Sequence, residues 1–171
     1  REYKRVELKI VPSFVYFNSK FGLTHELNNN KVDFLKRKKT SILDKRKNIN
    51  NLLSNEIKFL TNLIEKNKPD IFIVLGDRFE MLSVPISCIN YNIPVVHIYG
   101  GAVTEGAIDE LIRHSITKMS HLHFVATEQY KKRLLQMGEQ NFRIKNIGVA
   151  NLENINKNLK SKKELSIMTA L

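Results

Sequence analysis

The chain has 171 residues, 42% of them apolar, which is enough for one domain with a real core. No apolar run is long enough to span a bilayer, and the charged opening "REYKRVELKI" carries no signal-peptide pattern. The formal charge of +11 is concentrated in residues 36–47, "KRKKTSILDKRK", and in the lysines between Lys157 and Lys163. These basic stretches lack interleaved aromatics and any zinc, helix-turn-helix or RNA-binding signature, so nucleic acid is not the expected partner.

Residues 6–11, "VELKIV", read as a strand, and residues 12–47 as irregular and polar, with "FGLTHEL" in their midst. Ile49, Leu52, Leu53, Ile57, Leu60, Leu63 and Ile64 recur at helical spacing, and that helix must stop before Lys68-Pro69. A strand follows over 71–75, then a helix over about 78–91 that Pro85 would kink, then a strand over 93–98, "IPVVHI". The loop "YGGAVTEGA" leads into a helix whose face carries Ile108, Leu111, Ile112, Ile116 and Met119. A strand over 122–126, a helix over about 128–137 stopped by Gly138, and a last strand over 143–149 complete the pattern.

Strands alternating with helices predict an α/β fold, a mostly parallel sheet with helices on both faces. Residues 1–155 form one expected domain, and the polar stretch 156–171 reads as a linker-like tail. The single cysteine, Cys88, lies among apolar neighbours in "SVPISCIN" and reads as a buried thiol in a reducing cytosol, not as a nucleophile.

Parallel topology brings the loops that leave the strand C-termini to one edge. "GDR" leaves strand 71–75 there, and "YGGAVTEG" leaves strand 93–98 at the same edge. Gly100 and Gly101 would permit close approach of the backbone to a ligand. Asp109 lies in the first turn of the following helix and Arg113 one turn later on the same side. Asp77, Arg78, Asp109 and Arg113 can therefore gather at one cleft. The local chemistry also allows a plainer account, in which Asp77 caps a helix and Asp109 complements a helix N-terminus while pairing with Arg113. His97, His121 and His123 lack an acidic or cysteine partner at ligand spacing, so no metal is expected. His114 is expected to pack or hydrogen-bond. There is no GxGxxG, P-loop or nucleophile-elbow motif.

Taken together, "PDIFIVLGDRFEML", "NIPVVHIYGG", "TEGAIDELIRHSITKMSHLHFVATEQYKKRLLQMGE" and "RIKNIGVANLENI" resemble the hydrolysing UDP-N-acetylhexosamine 2-epimerases. The resemblance is to the branch that makes precursors of sialic, legionaminic and related nonulosonic acids. It covers residues 69–155 closely and reaches more loosely upstream through "FGLTHEL". It implies a GT-B-type arrangement of two Rossmann-like domains across a cleft, with this chain in the N-terminal half. It also implies elimination of UDP from a UDP-amino sugar to a 2-acetamidoglucal, then hydration to the C2-inverted free sugar, in the cytoplasm and without metal or redox cofactor. Asp77 matches the acid of the family's "GDR" and Asp109 that of "IDE/IDD". Arg78 matches the arginine placed to meet the diphosphate, and Arg113 and His114 match an "RH" pair with a structural or substrate-positioning role. Many members have a glutamate at the position of Tyr99, in "HIxGG", and often an acid at that of Ala102. Against the family pattern the chain begins at the second strand and stops in what resembles the interdomain linker. The expected first strand and C-terminal UDP-binding domain are thus not in this sequence. Two expectations follow: an epimerase domain that works with a C-terminal domain in trans or as a homo-oligomer, or a catalytically inactive sugar-nucleotide-binding or assembly domain.

Overall fold

The computed structural model describes residues 6–13, 33–34, 49–105 and 108–149. "FGLTHEL", the basic segment 36–47 and the tail 156–171 lie outside the described residues. Strand β1 (Lys9–Ile10) pairs in parallel with β2 (Asp33–Phe34), a strand inside the stretch expected to be irregular. Helix α1 (Ile49–Asn67) leads to the main sheet. That sheet runs in the order β3 (Phe72–Leu75), β4 (Val95–Ile98), β5 (Leu122–Val125), β6 (Ile144–Asn146), with every pairing parallel. Helix α2 (Ser83–Ile89) connects β3 to β4, α3 (Ile108–Lys118) connects β4 to β5, and α4 (Glu128–Gln136) connects β5 to β6. The expected α/β class and its parallel neighbours are as read, with shorter strands.

Local sequence explains where the elements stop. Lys68 adopts φ +46 and its N–H returns to the carbonyl of Ile64 at 2.8 Å, so α1 closes in a left-handed turn that Pro69 then prevents from continuing. Thr127 caps α4 by accepting from the N–H of Tyr130. Gly138, at φ +88, ends α4 as expected: its N–H reaches Leu135, and the N–H of Glu139 reaches Leu134. The single helix expected over 78–91 is instead a 3₁₀ turn over Phe79–Leu82 followed by α2. Pro85 stands in the first turn of α2, where a missing N–H breaks little, so a change of helix type takes the place of the expected kink.

Register fixes the two faces of the sheet. Val74 lies beside His97 and His97 beside His123, and these side chains share a face with Val95, Val125 and Ile144. Ile64 of α1, Cys88 of α2 and Ile116 of α3 pack against Val74 and Val95. Leu134 of α4 packs against Val125 and Ile144. The four helices thus cover one face. On the other, Ile73 and Leu75 of β3 are 54% and 60% exposed. The helices expected there are not among the described residues.

Candidate active site

The C-terminal ends of β3 and β4 meet at one edge, where a buried guanidinium organises the surroundings. Arg113, on α3, is 1% exposed. Its Nε donates to Asp77 Oδ2 at 2.8 Å, and Nη2 donates to the same oxygen. Nη1 donates to the carbonyl of Ala102 at 2.7 Å and Nη2 to Thr104 Oγ1 at 2.7 Å. One side chain therefore ties the loop after β3, the loop after β4 and helix α3 together. The surface pair of Asp109 with Arg113 does not form, because Arg113 is spent on Asp77 in the interior. In this position Arg113 braces the scaffold around Asp77. Asp109 stands one turn earlier on the same side of α3, half-buried, so Asp77 and Asp109 belong to the same edge.

The Asp77 side chain is 31% exposed. Among the described residues no hydrogen bond is made to its Oδ1, so one oxygen is anchored and the other faces outward. Asp77 precedes a 3₁₀ turn that has Arg78 as its N-cap residue and no side-chain cap, so the plain capping role does not hold. Arg78 is half exposed and donates through Nε to Glu80 Oε1 at 2.6 Å.

His97 supplies a second brace. It is fully buried, with Nε2 3.0 Å from the carbonyl of Gly76 and Nδ1 3.1 Å from Thr117 Oγ1. The carbonyl can only accept, so Nε2 carries the proton, and the threonine hydroxyl donates to Nδ1. Burial lowers the imidazole to about 4, which keeps it neutral and consistent with that tautomer. His97 thus holds the residue immediately before Asp77. No group of three or more acids, histidines or cysteines that could hold a metal ion occurs among the described residues.

The two glycines are explained by the protein's own packing. A Cβ on Gly100 would lie 3.0 Å from His97 Nδ1 and 3.1 Å from Thr117 Oγ1. A Cβ on Gly101, where φ is +83, would lie 2.5 Å from Leu134 Cδ1 and 2.6 Å from the carbonyl of Tyr130. A side chain at either position would thus press on neighbouring side chains or backbone. Between the two glycines and β4, Tyr99 adopts φ +69, a left-handed conformation unusual for a tyrosine. His114 faces Glu110 one turn away, Nε2 to Oε1 3.4 Å, a local pairing within α3. Sequence reading missed Thr104, Thr117 and Glu80, for which no spacing rule gives a signal. It weighed His97 only as a metal ligand.

Residues 2–170 match the sequence profile of the UDP-N-acetylglucosamine 2-epimerase family. The chain belongs to this family. It is 43% identical over 166 residues to the hydrolysing GDP/UDP-N,N'-diacetylbacillosamine 2-epimerase of Campylobacter jejuni, covering 95% of this chain and 43% of that protein. It is 47% identical over 107 residues to the polysialic acid biosynthesis protein P7 of Escherichia coli, covering 60% of this chain and 27% of the other. The chain thus spans less than half the length of these curated relatives. A crystal structure of the Neisseria meningitidis UDP-GlcNAc 2-epimerase bound to UDP-GlcNAc superposes with a TM-score of 0.56 at 27% identity, over 60% of this chain and 29% of that one. The Rickettsia bellii epimerase shares the fold over 94% of this chain and 43% of its own, with a TM-score of 0.66. These likenesses bear out the α/β fold of the GT-B-type epimerases.

Proposed function

We propose that the chain provides the acid–base edge of a hydrolysing UDP-amino-sugar 2-epimerase, acting on UDP-N,N'-diacetylbacillosamine or UDP-N-acetylglucosamine in nonulosonic acid synthesis. The observation that carries this reading is Asp77, anchored by a buried arginine through one oxygen and open through the other. A carboxylate so fixed can take a proton from a bound sugar without reorienting. In the elimination a base removes the C2 proton, the C1–O bond breaks, and its electron pair leaves with the diphosphate, giving the 2-acetamidoglucal. Water then adds at C1 and a proton returns to C2 from the opposite face. Asp77 and Asp109 are the candidate proton carriers, and Arg78, beside Asp77, is the candidate contact for the departing diphosphate.

Since the relatives are more than twice as long, the nucleotide is taken to be held with the help of a further domain, in cis, in trans or through a homo-oligomer. The domain reading is residues 1–155 as the catalytic half, with 156–171 as the connection. No helix among the described residues is long and apolar enough to cross a membrane. Burial pushes the Cys88 thiol up to about 12, which suits an inert packing thiol, and the chain is taken to work in the cytoplasm, where the nucleotide sugar would be available. Tyr99, at a position where the family pattern has a glutamate, favours a second reading, a sugar-nucleotide-binding domain without turnover.

The test is UDP release from both UDP-sugars by the chain, with the C-terminal domain of a related epimerase supplied in trans. Turnover that Asp77→Asn abolishes, with binding retained, supports the enzyme. Binding without turnover supports the second reading. Neither binding nor turnover rejects both.

A further inference from the structure

Glu80 is 2% exposed, yet it has no part in the chemistry above. Burying a carboxylate costs several kcal/mol unless it is paired. Only one of its oxygens is: Oε1 accepts from Arg78 Nε at 2.6 Å, while Oε2 is shielded from solvent and has no hydrogen-bond partner. An apolar side chain would fill the same position without that penalty, so packing does not explain the charge. The 3₁₀ turn also holds it in place, because the Ser83 hydroxyl donates to the Glu80 carbonyl at 2.6 Å. Arg78, by contrast, has a side chain 52% exposed and directly follows Asp77.

We infer that Glu80 is a positioning residue for Arg78, setting the plane of its guanidinium for a ligand that bears a diphosphate. The ligand class rests on the function proposed above; the positioning rests on the geometry. A diphosphate takes a guanidinium through two N–H groups in one plane, and a bond at Nε sets that plane. Prior ordering of a long side chain lowers the entropy lost when the anion binds.

The test has two arms on the 171-residue protein. Nitrogen relaxation at Arg78 Nε reports the order of the guanidinium directly. It is expected to be ordered in the wild type, partly ordered in Glu80→Gln, which keeps a neutral acceptor, and mobile in Glu80→Ala. Titration with UDP-N-acetylglucosamine and with inorganic diphosphate reports the consequence. Glu80→Ala is expected to weaken both about tenfold, and to have no effect once Arg78→Ala is present. Arg78 Nε equally ordered in all three proteins overturns the inference, as does a Glu80→Ala loss that persists in the Arg78→Ala background. If the wild type binds neither ligand even with the C-terminal domain of a related epimerase supplied in trans, the proposed function fails and Nε order alone decides the positioning. If Glu80→Ala does not fold, Glu80→Gln carries both arms, with a smaller loss of order and affinity in support and none against.

Discussion

Arg113 and Asp77, 36 residues apart in sequence, meet with two N–H groups of the guanidinium on a single carboxylate oxygen. The same guanidinium holds Ala102 and Thr104, so the pair is both the brace of the site and the anchor of its candidate base. Removing one partner of a buried ion pair leaves the other uncompensated. Arg113→Ala is therefore expected to destabilise the protein by about 3 kcal/mol in urea unfolding. Arg113→Lys, a point charge without the fork, should fall between the two. A loss below about 1 kcal/mol for Arg113→Ala would mean that the cluster is not a structural brace.

The glycine pair gives an ordered prediction. Gly101→Ala must adopt φ +83 and press on backbone as well as a side chain, so a loss of about 2–4 kcal/mol is expected. Gly100→Ala meets only His97 and Thr117 side-chain atoms, which can give way by loosening their mutual hydrogen bond, at about 1 kcal/mol. Equal stability of the two variants in the same unfolding experiment would contradict this account.

These contacts show where sequence stops being legible. The α/β alternation and the shared edge of Asp77 and Asp109 follow from periodicity and topology alone. What Arg113 does is different, because a helix offers Asp109 as its i−4 neighbour and nothing local reveals that Asp77, from the loop after β3, wins. Gly100 and Gly101 likewise read as room for a ligand, and nothing local reveals that His97 and Thr117 lie against the first and Leu134 and Tyr130, from a later helix, against the second. The β2 strand was missed since two residues, Asp33 and Phe34, carry no period.

His97 makes stability depend on pH. In the unfolded chain its imidazole takes up a proton near 6.5, whereas in the fold it does so only near 4. Between these values the unfolded state binds more protons, so stability is lost as pH falls from about 6.5 to about 4 and levels off below. The loss attributable to His97 is about 3 kcal/mol. His123, also lowered by burial, acts in the same direction. Urea midpoints measured across this range should fall with pH, and His97→Gln should flatten the slope. An unchanged slope in that variant would place the acid sensitivity elsewhere.

Tyr99 is the residue whose replacement best separates the two functional readings. Its φ of +69 and the 2.7 Å hydrogen bond from its N–H to the carbonyl of Phe124 fix it at the mouth of β4, beside the glycine pair. A phenol is a poor proton acceptor at neutral pH, whereas a carboxylate at the same position can share in proton transfer. Tyr99→Glu is therefore expected to raise UDP release at least about tenfold in the mixture containing the C-terminal domain, within the usual range for one acid–base group. Tyr99→Phe should leave that rate unchanged, since on this account the proton is carried by a carboxylate and not by the phenol. Tyr99→Gly should relax the left-handed backbone without raising the rate, which distinguishes relief of strain from gain of a carboxylate. A fall in rate with both Tyr99→Glu and Tyr99→Phe would show instead that the phenol itself takes part in the reaction.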